Sequence, residues 1–232
     1  MIPYGRHYVD EDDVRAVSEV LRGELLTQGP KAAEFERLVA EYVGARHAVS
    51  VANGTAALHL ACLAAGLGPG DTLVTSPNTF LASANCALYV GARPVFADID
   101  PETLNLDPQT LQAAFATETG IKVVVPVHFA GLPCDMEAVE RIARAHGAFI
   151  IEDACHALGA TYSDGSRVGN CQRSDMTVFS FHPVKLIAAG EGGIITTNDD
   201  ALYRKLLLLR NHGMTRIESE LTETAQAFES GV

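Results

Sequence analysis

From about residue 46 onward, short apolar runs rich in Val and Ile recur along the chain. They are HAVSVA (47–52), TLVTS (72–76), PVFADI (94–99), KVVVPVHF (122–129), AFIIED (148–153), MTVFSF (176–181) and GGIITT (192–197). Between many of them lie segments with helical spacing, such as residues 55–65, 108–115, 135–146 and 201–210. Near-continuous hydrophobic runs of strand length are the mark of parallel strands buried on both faces. Their alternation with helices predicts an α/β fold: a mostly parallel seven-stranded sheet sandwiched by helices. Two further helices precede the first run. One covers about residues 10–22, with Val14, Val17, Val20 and Leu21 on one face; the other covers about 32–42, with Phe35, Leu38, Val39 and Tyr42 inward. The LTQGP loop (26–30) separates them. Beyond Met214 the sequence turns polar and weakly periodic, which predicts a fraying helix or a disordered tail. The expected organisation is an N-terminal segment (1–30), one large domain (31–216) and a tail (217–232).

Composition narrows the class. The 232 residues are 47% hydrophobic and 20% charged, ordinary for a protein with a sizeable core. A formal charge of −12 repels phosphate backbones, so nucleic acid is not expected as a partner. No stretch approaches the roughly 18 apolar residues that a membrane helix needs, and the N-terminus lacks the basic-then-apolar pattern of a leader. Cys62, Cys86, Cys134, Cys155 and Cys171 are scattered and never spaced as CxxC. Free thiols, rather than disulfides or a structural zinc, are therefore expected, and with them a cytoplasmic location.

Ligands of open α/β sheets bind beyond the carboxyl ends of strands, and three polar groups fall there. After the first run, Gly54 and Thr55 open a helix whose free N–H groups suit an anion, although the same arrangement is also a plain cap. After the fifth run, Glu152 and Asp153 end an apolar strand and need partners. A protonated pyridine nitrogen, a metal held with His156, or the next helix start would each serve. After the sixth run come Ser180, His182 and Lys185, followed by GEGG (190–193). A lysine among Val184, Leu186 and Ile187 can be activated as a nucleophile toward aldehydes, whereas a lone loop lysine is ordinarily a solvated charge. Taken together the groups describe one cofactor, pyridoxal 5'-phosphate. It needs an amine (Lys185), a carboxylate for its ring nitrogen (Asp153), donors for its phosphate (Thr55, Ser180) and a flat group over its ring (Phe80).

The stretches NGTAALHLA (53–61), SPNTFLASANCAL (76–88), PVFADIDPETLNLD (94–107), VPVHFAGLPCDM (125–136), IEDACHALGA (151–160) and FSFHPVKLIAAGEGG (179–193) resemble the DegT/DnrJ/EryC1/StrS sugar aminotransferases. The resemblance implies the aspartate-aminotransferase (type I) large-domain fold. It implies that Lys185 bonds to the cofactor and shuttles the proton, and that Asp153 pairs with the pyridine nitrogen. It further implies that Phe80 stacks on the ring, where some relatives have tryptophan. Gly54, Thr55, Ala56 and Ser180 would hold the phosphate, and His156 would orient the ring; His182 receives no role. Within the family, the opening IPYGRHYVDEDD, LTQGP, HFAGLPCDM and SFHPVK are similar to the transaminases of the pseudaminic acid pathway. Those move an amino group from glutamate to C4 of a UDP-linked 4-keto-6-deoxy-N-acetylhexosamine, with the enzymes for lipid A arabinosamine modification as close seconds. A homodimer is implied as well. Ala188 and Ala189 depart from the threonines common in relatives. The family's small C-terminal domain lies beyond the stretches matched, so the chain is expected to be an N-terminal fragment. Two alternatives remain. One is a sugar dehydratase of the same fold, against which a lysine rather than a histidine at 185 argues. The other is a truncated chain inactive alone.

Overall fold

A computed structural model describes residues 6–215, so the expected tail at 217–232 lies outside the described residues. The seven apolar runs are seven strands: β1 (His47–Val51), β2 (Thr72–Thr75), β3 (Arg93–Phe96), β4 (Ile121–Val125), β5 (Phe149–Asp153), β6 (Met176–Ser180) and β7 (Gly193–Thr197). They form one sheet in the order β1-β7-β6-β5-β4-β2-β3. All pairings are parallel except those of β7, which runs antiparallel to β1 and β6. From β2 the chain steps to the edge at β3, then returns to β4 on β2's other side. This reversal is a topological switch point, where open α/β sheets place their ligands.

The described residues form seven α-helices, α1 (Glu11–Leu21), α2 (Pro30–Val43), α3 (Gly54–Ala64), α4 (Ala82–Tyr89), α5 (Pro108–Thr117), α6 (Met136–Ala145) and α7 (Asp200–Arg210), of which α2 to α7 pack in the cores on the sheet. Side chains alternate across each strand, so each strand feeds two cores. On one face Val123, Val125, Ile151 and Val178 pack with Leu58, Ala61, Cys86 and Leu206 of α3, α4 and α7. On the other, Val124 and Ile150 pack with Leu111, Val139 and Ile142 of α5 and α6. Val39, Ala40 and Val43 of α2 close a third cluster over Phe179 and Ile194.

Helix termini follow the local sequence. Asp10 caps α1 in a capping box with Asp13, and Asp135 and Asp199 cap α6 and α7. Pro30 and Pro108 sit in the first turns of α2 and α5, where a missing N–H costs nothing. Three sequence expectations change. α1 buries none of its residues, so its apolar stripe at Val14, Val17 and Leu21 faces outward among the described residues. On α2, Leu38 and Tyr42 are exposed, because Ala40 and Val43 turn to the sheet instead. α4 was not expected from spacing: its small residues are buried on several sides, which erases the polar face that periodicity needs.

Candidate active site

The C-terminal ends of β1, β2, β4, β5 and β6 open on one cavity of ≈ 470 Å³, which Glu191 of the loop before β7 also borders. Seven of the eight expected residues line it: Gly54, Thr55, Phe80, Asp153, His156, Ser180 and Lys185. Ala56 does not. Its N–H donates to the Asn53 side chain at 2.9 Å, which caps α3 and leaves that amide unavailable to a ligand. The open donors of this helix start are the N–H groups of Gly54 and Thr55. The space around them depends on two glycines. A Cβ on Gly54 would stand 3.0 Å from the Ser180 Cβ, and one on Gly193 would stand 2.4 Å from the Asn53 carbonyl. Backbone approach, rather than positive φ, requires both.

Asp153 ends β5 on the face of α3 and α4. Its Oδ2 accepts from the Ser83 hydroxyl at 2.5 Å and its Oδ1 from the Cys155 N–H at 3.2 Å. Beside it, His156 is half-buried. Burial and then the Lys185 charge lower its pKa, which favours a neutral imidazole. Burial first, then the Asp153 charge, pushes the Cys155 thiol well above its ordinary value, so this sulfur stays protonated. Ser180 accepts from the His182 N–H at 3.4 Å, and its own proton finds no acceptor among the described residues. His182 itself accepts the Val184 N–H through Nδ1.

The chain has four lysines. Lys31 pairs with Glu34, Lys122 with Asp71 and the Gly66 carbonyl, and Lys205 donates to the Ala64 carbonyl. Lys185 alone makes no hydrogen bond or salt bridge from its amine among the described residues, and it stands at the cavity. Its expected apolar shelter is not there: Val184, Leu186 and Ile187 are 43%, 72% and 57% exposed. Loop side chains that flank a residue in sequence have no periodicity to turn them toward it.

The metal alternative separates for a simpler reason. Glu152 points to the opposite face of β5 from Asp153, as strand alternation demands. It is fully buried and accepts from His128 Nε2, Tyr162, Ser174 and Thr177. Burial raises its pKa, but these donors, His128 first, bring it below the usual carboxylate value. For His128, burial lowers proton affinity, while Cys134 and Glu152 raise it more. The Nδ1 that would take a second proton already accepts the Cys134 N–H at 3.1 Å. The hydrogen-bond network therefore assigns a neutral imidazole with its proton on Nε2. Thr79, His128, Phe129 and Glu191 also line the cavity. His128 and Phe129 were read as part of the apolar run 122–129, but β4 ends at Val125, which leaves them beyond its carboxyl end.

GDP-perosamine synthase of Caulobacter vibrioides is 48% identical over 181 residues, 78% of this chain and 47% of that one. The spore coat polysaccharide biosynthesis protein SpsC of Bacillus subtilis is 46% identical over 215 residues, 93% of this chain and 54% of that one. The chain thus spans about half the length of the curated relatives it matches. Among solved structures, Helicobacter pylori PseC, an aminotransferase of pseudoaminic acid biosynthesis, superposes with a TM-score of 0.85. It is 34% identical, over 92% of this chain and 57% of that one. Spr1654 of Streptococcus pneumoniae, named as a sugar aminotransferase and solved in its PLP form, superposes with a TM-score of 0.85 at 31% identity. That alignment covers 92% of this chain and 59% of the other. The fold is the large domain of the pyridoxal-phosphate aminotransferases. Residues 7–230 match the DegT/DnrJ/EryC1/StrS aminotransferase family, beyond both Gly193, where the resembling stretches end, and residue 216, the expected end of the large domain, and the chain belongs to that family.

Proposed function

We propose that this chain is the cofactor-bearing half of a pyridoxal-phosphate transaminase that moves an amino group from glutamate to C4 of a nucleotide-linked 4-keto-6-deoxy sugar. The observation that carries the reading is the juxtaposition of Lys185, whose amine has no partner among the described residues, with Asp153 in one cavity beside open backbone donors. The residues fit the cofactor. The close approach of Gly54 to Ser180 leaves little room for a Cβ, and the N–H groups of Gly54 and Thr55 with the Thr55 and Ser180 hydroxyls would hold the phosphate. When bound, pyridoxal phosphate supplies an aldehyde that bonds to an amine and a ring that takes up the electrons left by a departing proton. The protein's part is to hold and to move protons. Lys185 Nζ would hold the aldehyde, and its free amine would take the proton from the substrate α-carbon and give it back. Asp153 would keep a proton on the ring nitrogen, and with it the positive charge that attracts electrons. Neutral His156 orients the ring, and Phe80 borders the cavity for stacking on its face.

The sugar class rests on the relatives' own activities and on the resemblance, with a UDP-linked N-acetylhexosamine as the specific reading. The exposed Phe80, Leu81, Leu186 and Ile187 around the cavity support completion of the site in a homodimer. No helix among the described residues is long and apolar enough to cross a membrane. Together with five free cysteines, this supports a cytoplasmic setting. To test the reading, protein equilibrated with pyridoxal phosphate is reduced with borohydride and digested. The label is expected on Lys185 and lost in Lys185→Ala; a label elsewhere, or none, overturns the assignment. A panel of UDP-, dTDP- and GDP-linked 4-keto sugars then reads the substrate. A deoxy-sugar product in place of an amino sugar would favour a dehydratase.

A further inference from the structure

We propose that Ser83, held by Thr79, is a positioning residue that fixes the Asp153 carboxylate for the ring nitrogen of the bound cofactor. The inference deepens the pyridoxal-phosphate reading of the cavity and rests on it. Ser83 is fully buried in the first turn of α4 and does not line the cavity. Its hydroxyl reaches across to β5 and donates to Asp153 Oδ2 at 2.5 Å. A serine hydroxyl has one proton to give. The 2.7 Å bond between Ser83 and Thr79 must therefore run the other way, with the Thr79 hydroxyl donating. The result is an ordered chain, Thr79 to Ser83 to Asp153, that begins at a residue of the cavity wall and ends on the carboxylate.

An aspartate carboxyl turns through a broad, roughly two-fold torsional well and has no intrinsic preferred plane. Here both oxygens are pinned: Oδ2 by Ser83, and Oδ1 by the Cys155 N–H at 3.2 Å. The plane is thereby set before any ligand arrives, and a hydrogen bond whose acceptor is already oriented loses little entropy when it forms. Ser83 is not spent on capping α4, since its hydroxyl bonds go to Thr79 and Asp153 and the helix start has no side-chain cap. Phe80 lies between Thr79 and Ser83 in sequence and borders the same cavity. One short segment, residues 79–83, thus serves both the ring face and the partner of the ring nitrogen.

The test compares two ligands on the 232-residue chain: pyridoxal phosphate, and its deaza analogue with CH in place of the ring nitrogen. Equilibrium affinities are measured for the wild type, Ser83→Ala and Thr79→Val. If Ser83 acts through Asp153 on the ring nitrogen, Ser83→Ala weakens pyridoxal phosphate by about tenfold, the size of one charge-assisted hydrogen bond. The analogue, which offers Asp153 nothing to meet, should change less than about twofold. Thr79→Val should shift the ratio of the two affinities in the same direction by less. Equal weakening of both ligands, or no change in either, overturns the proposal while leaving the cavity reading intact. A wild type that binds neither ligand overturns the cavity reading and this inference with it. Thr79 is only half-buried, so if Ser83→Ala does not fold, the affinity ratio in Thr79→Val decides alone.

Discussion

Glu152 offers a sharp test of the physics behind the site. It is 1% exposed, and its Oε2 accepts from His128 Nε2 at 2.7 Å and from the Tyr162 hydroxyl. Its Oε1 accepts from Thr177 at 2.9 Å and from Ser174. Glu152→Leu fills the space but leaves the His128 N–H and three hydroxyls facing carbon. The His128 proton cannot move to Nδ1 without losing the Cys134 N–H, so that donor is stranded. Removing one side of such a buried network costs about 3–5 kcal/mol, against a total of about 5–15 kcal/mol for a typical domain. Glu152→Gln costs less, about 1–3 kcal/mol. Its oxygen can face His128 and Tyr162 while its NH₂ donates to the hydroxyls, which rotate to accept. Urea unfolding at pH 7 should rank the wild type above Gln and Gln above Leu. The pH dependence follows from the lowered folded pKa. The contribution of Glu152 is complete above the unfolded value of about 4.3 and is lost only as pH falls through the folded pKa. The gap between wild type and Glu152→Leu should therefore stay constant from pH 7 to about 5. A Leu variant within about 1 kcal/mol of wild type, or a gap that closes between pH 7 and 5, would refute the four-donor account.

Two further outcomes are expected. Gly193→Ala drives a Cβ to within 2.4 Å of the Asn53 carbonyl and 2.8 Å of the Gly54 nitrogen. Backbone cannot rotate aside as a side chain can, so unfolding should show at least the upper end of the usual 1–3 kcal/mol for overpacking, with weaker cofactor binding by equilibrium titration. Asp153→Asn should retain cofactor but lower the glutamate half-reaction, read as 2-oxoglutarate release, by about a hundredfold or more; an unchanged rate would sink its ring-nitrogen role.

Much of this molecule was legible in its sequence because buried strands announce themselves. Each of the seven apolar runs contains or overlaps a strand, and Gly54, Asp153, Ser180 and Lys185, singled out by the rule that ligands sit past strand ends, line one cavity. What escaped reading did so for identifiable reasons. α4 has no polar stripe, since Ala82, Ser83, Ala84, Cys86 and Ala87 are all buried. At the start of α3, Asn53 uses the Ala56 N–H, and a side-chain cap competes for the donors that would hold an anion. Val184, Leu186 and Ile187 lie in a loop, where adjacency says nothing about direction.

The pair Glu152 and Asp153 shows how one local rule yields two chemistries. Adjacent in sequence, they resembled a joint ligand set; two-residue alternation sends them to opposite faces of β5. On one face the carboxylate meets four donors, all of them neutral once His128 carries its single proton on Nε2. Neutral donors stabilise an anion without cancelling its charge, so the end of β5 keeps a negative charge on each face of the sheet. The second, Asp153, faces the cavity with Lys185 across from it. A site with this field favours a cationic ring over a neutral one, and the burial that makes Glu152 costly to remove also keeps water from screening it. On this reading the network behind the sheet is part of the electrostatics of the cavity: Glu152→Gln should weaken binding of pyridoxal phosphate more than that of its deaza analogue, although residue 152 touches neither ligand. An equal effect on both would confine Glu152 to holding the fold.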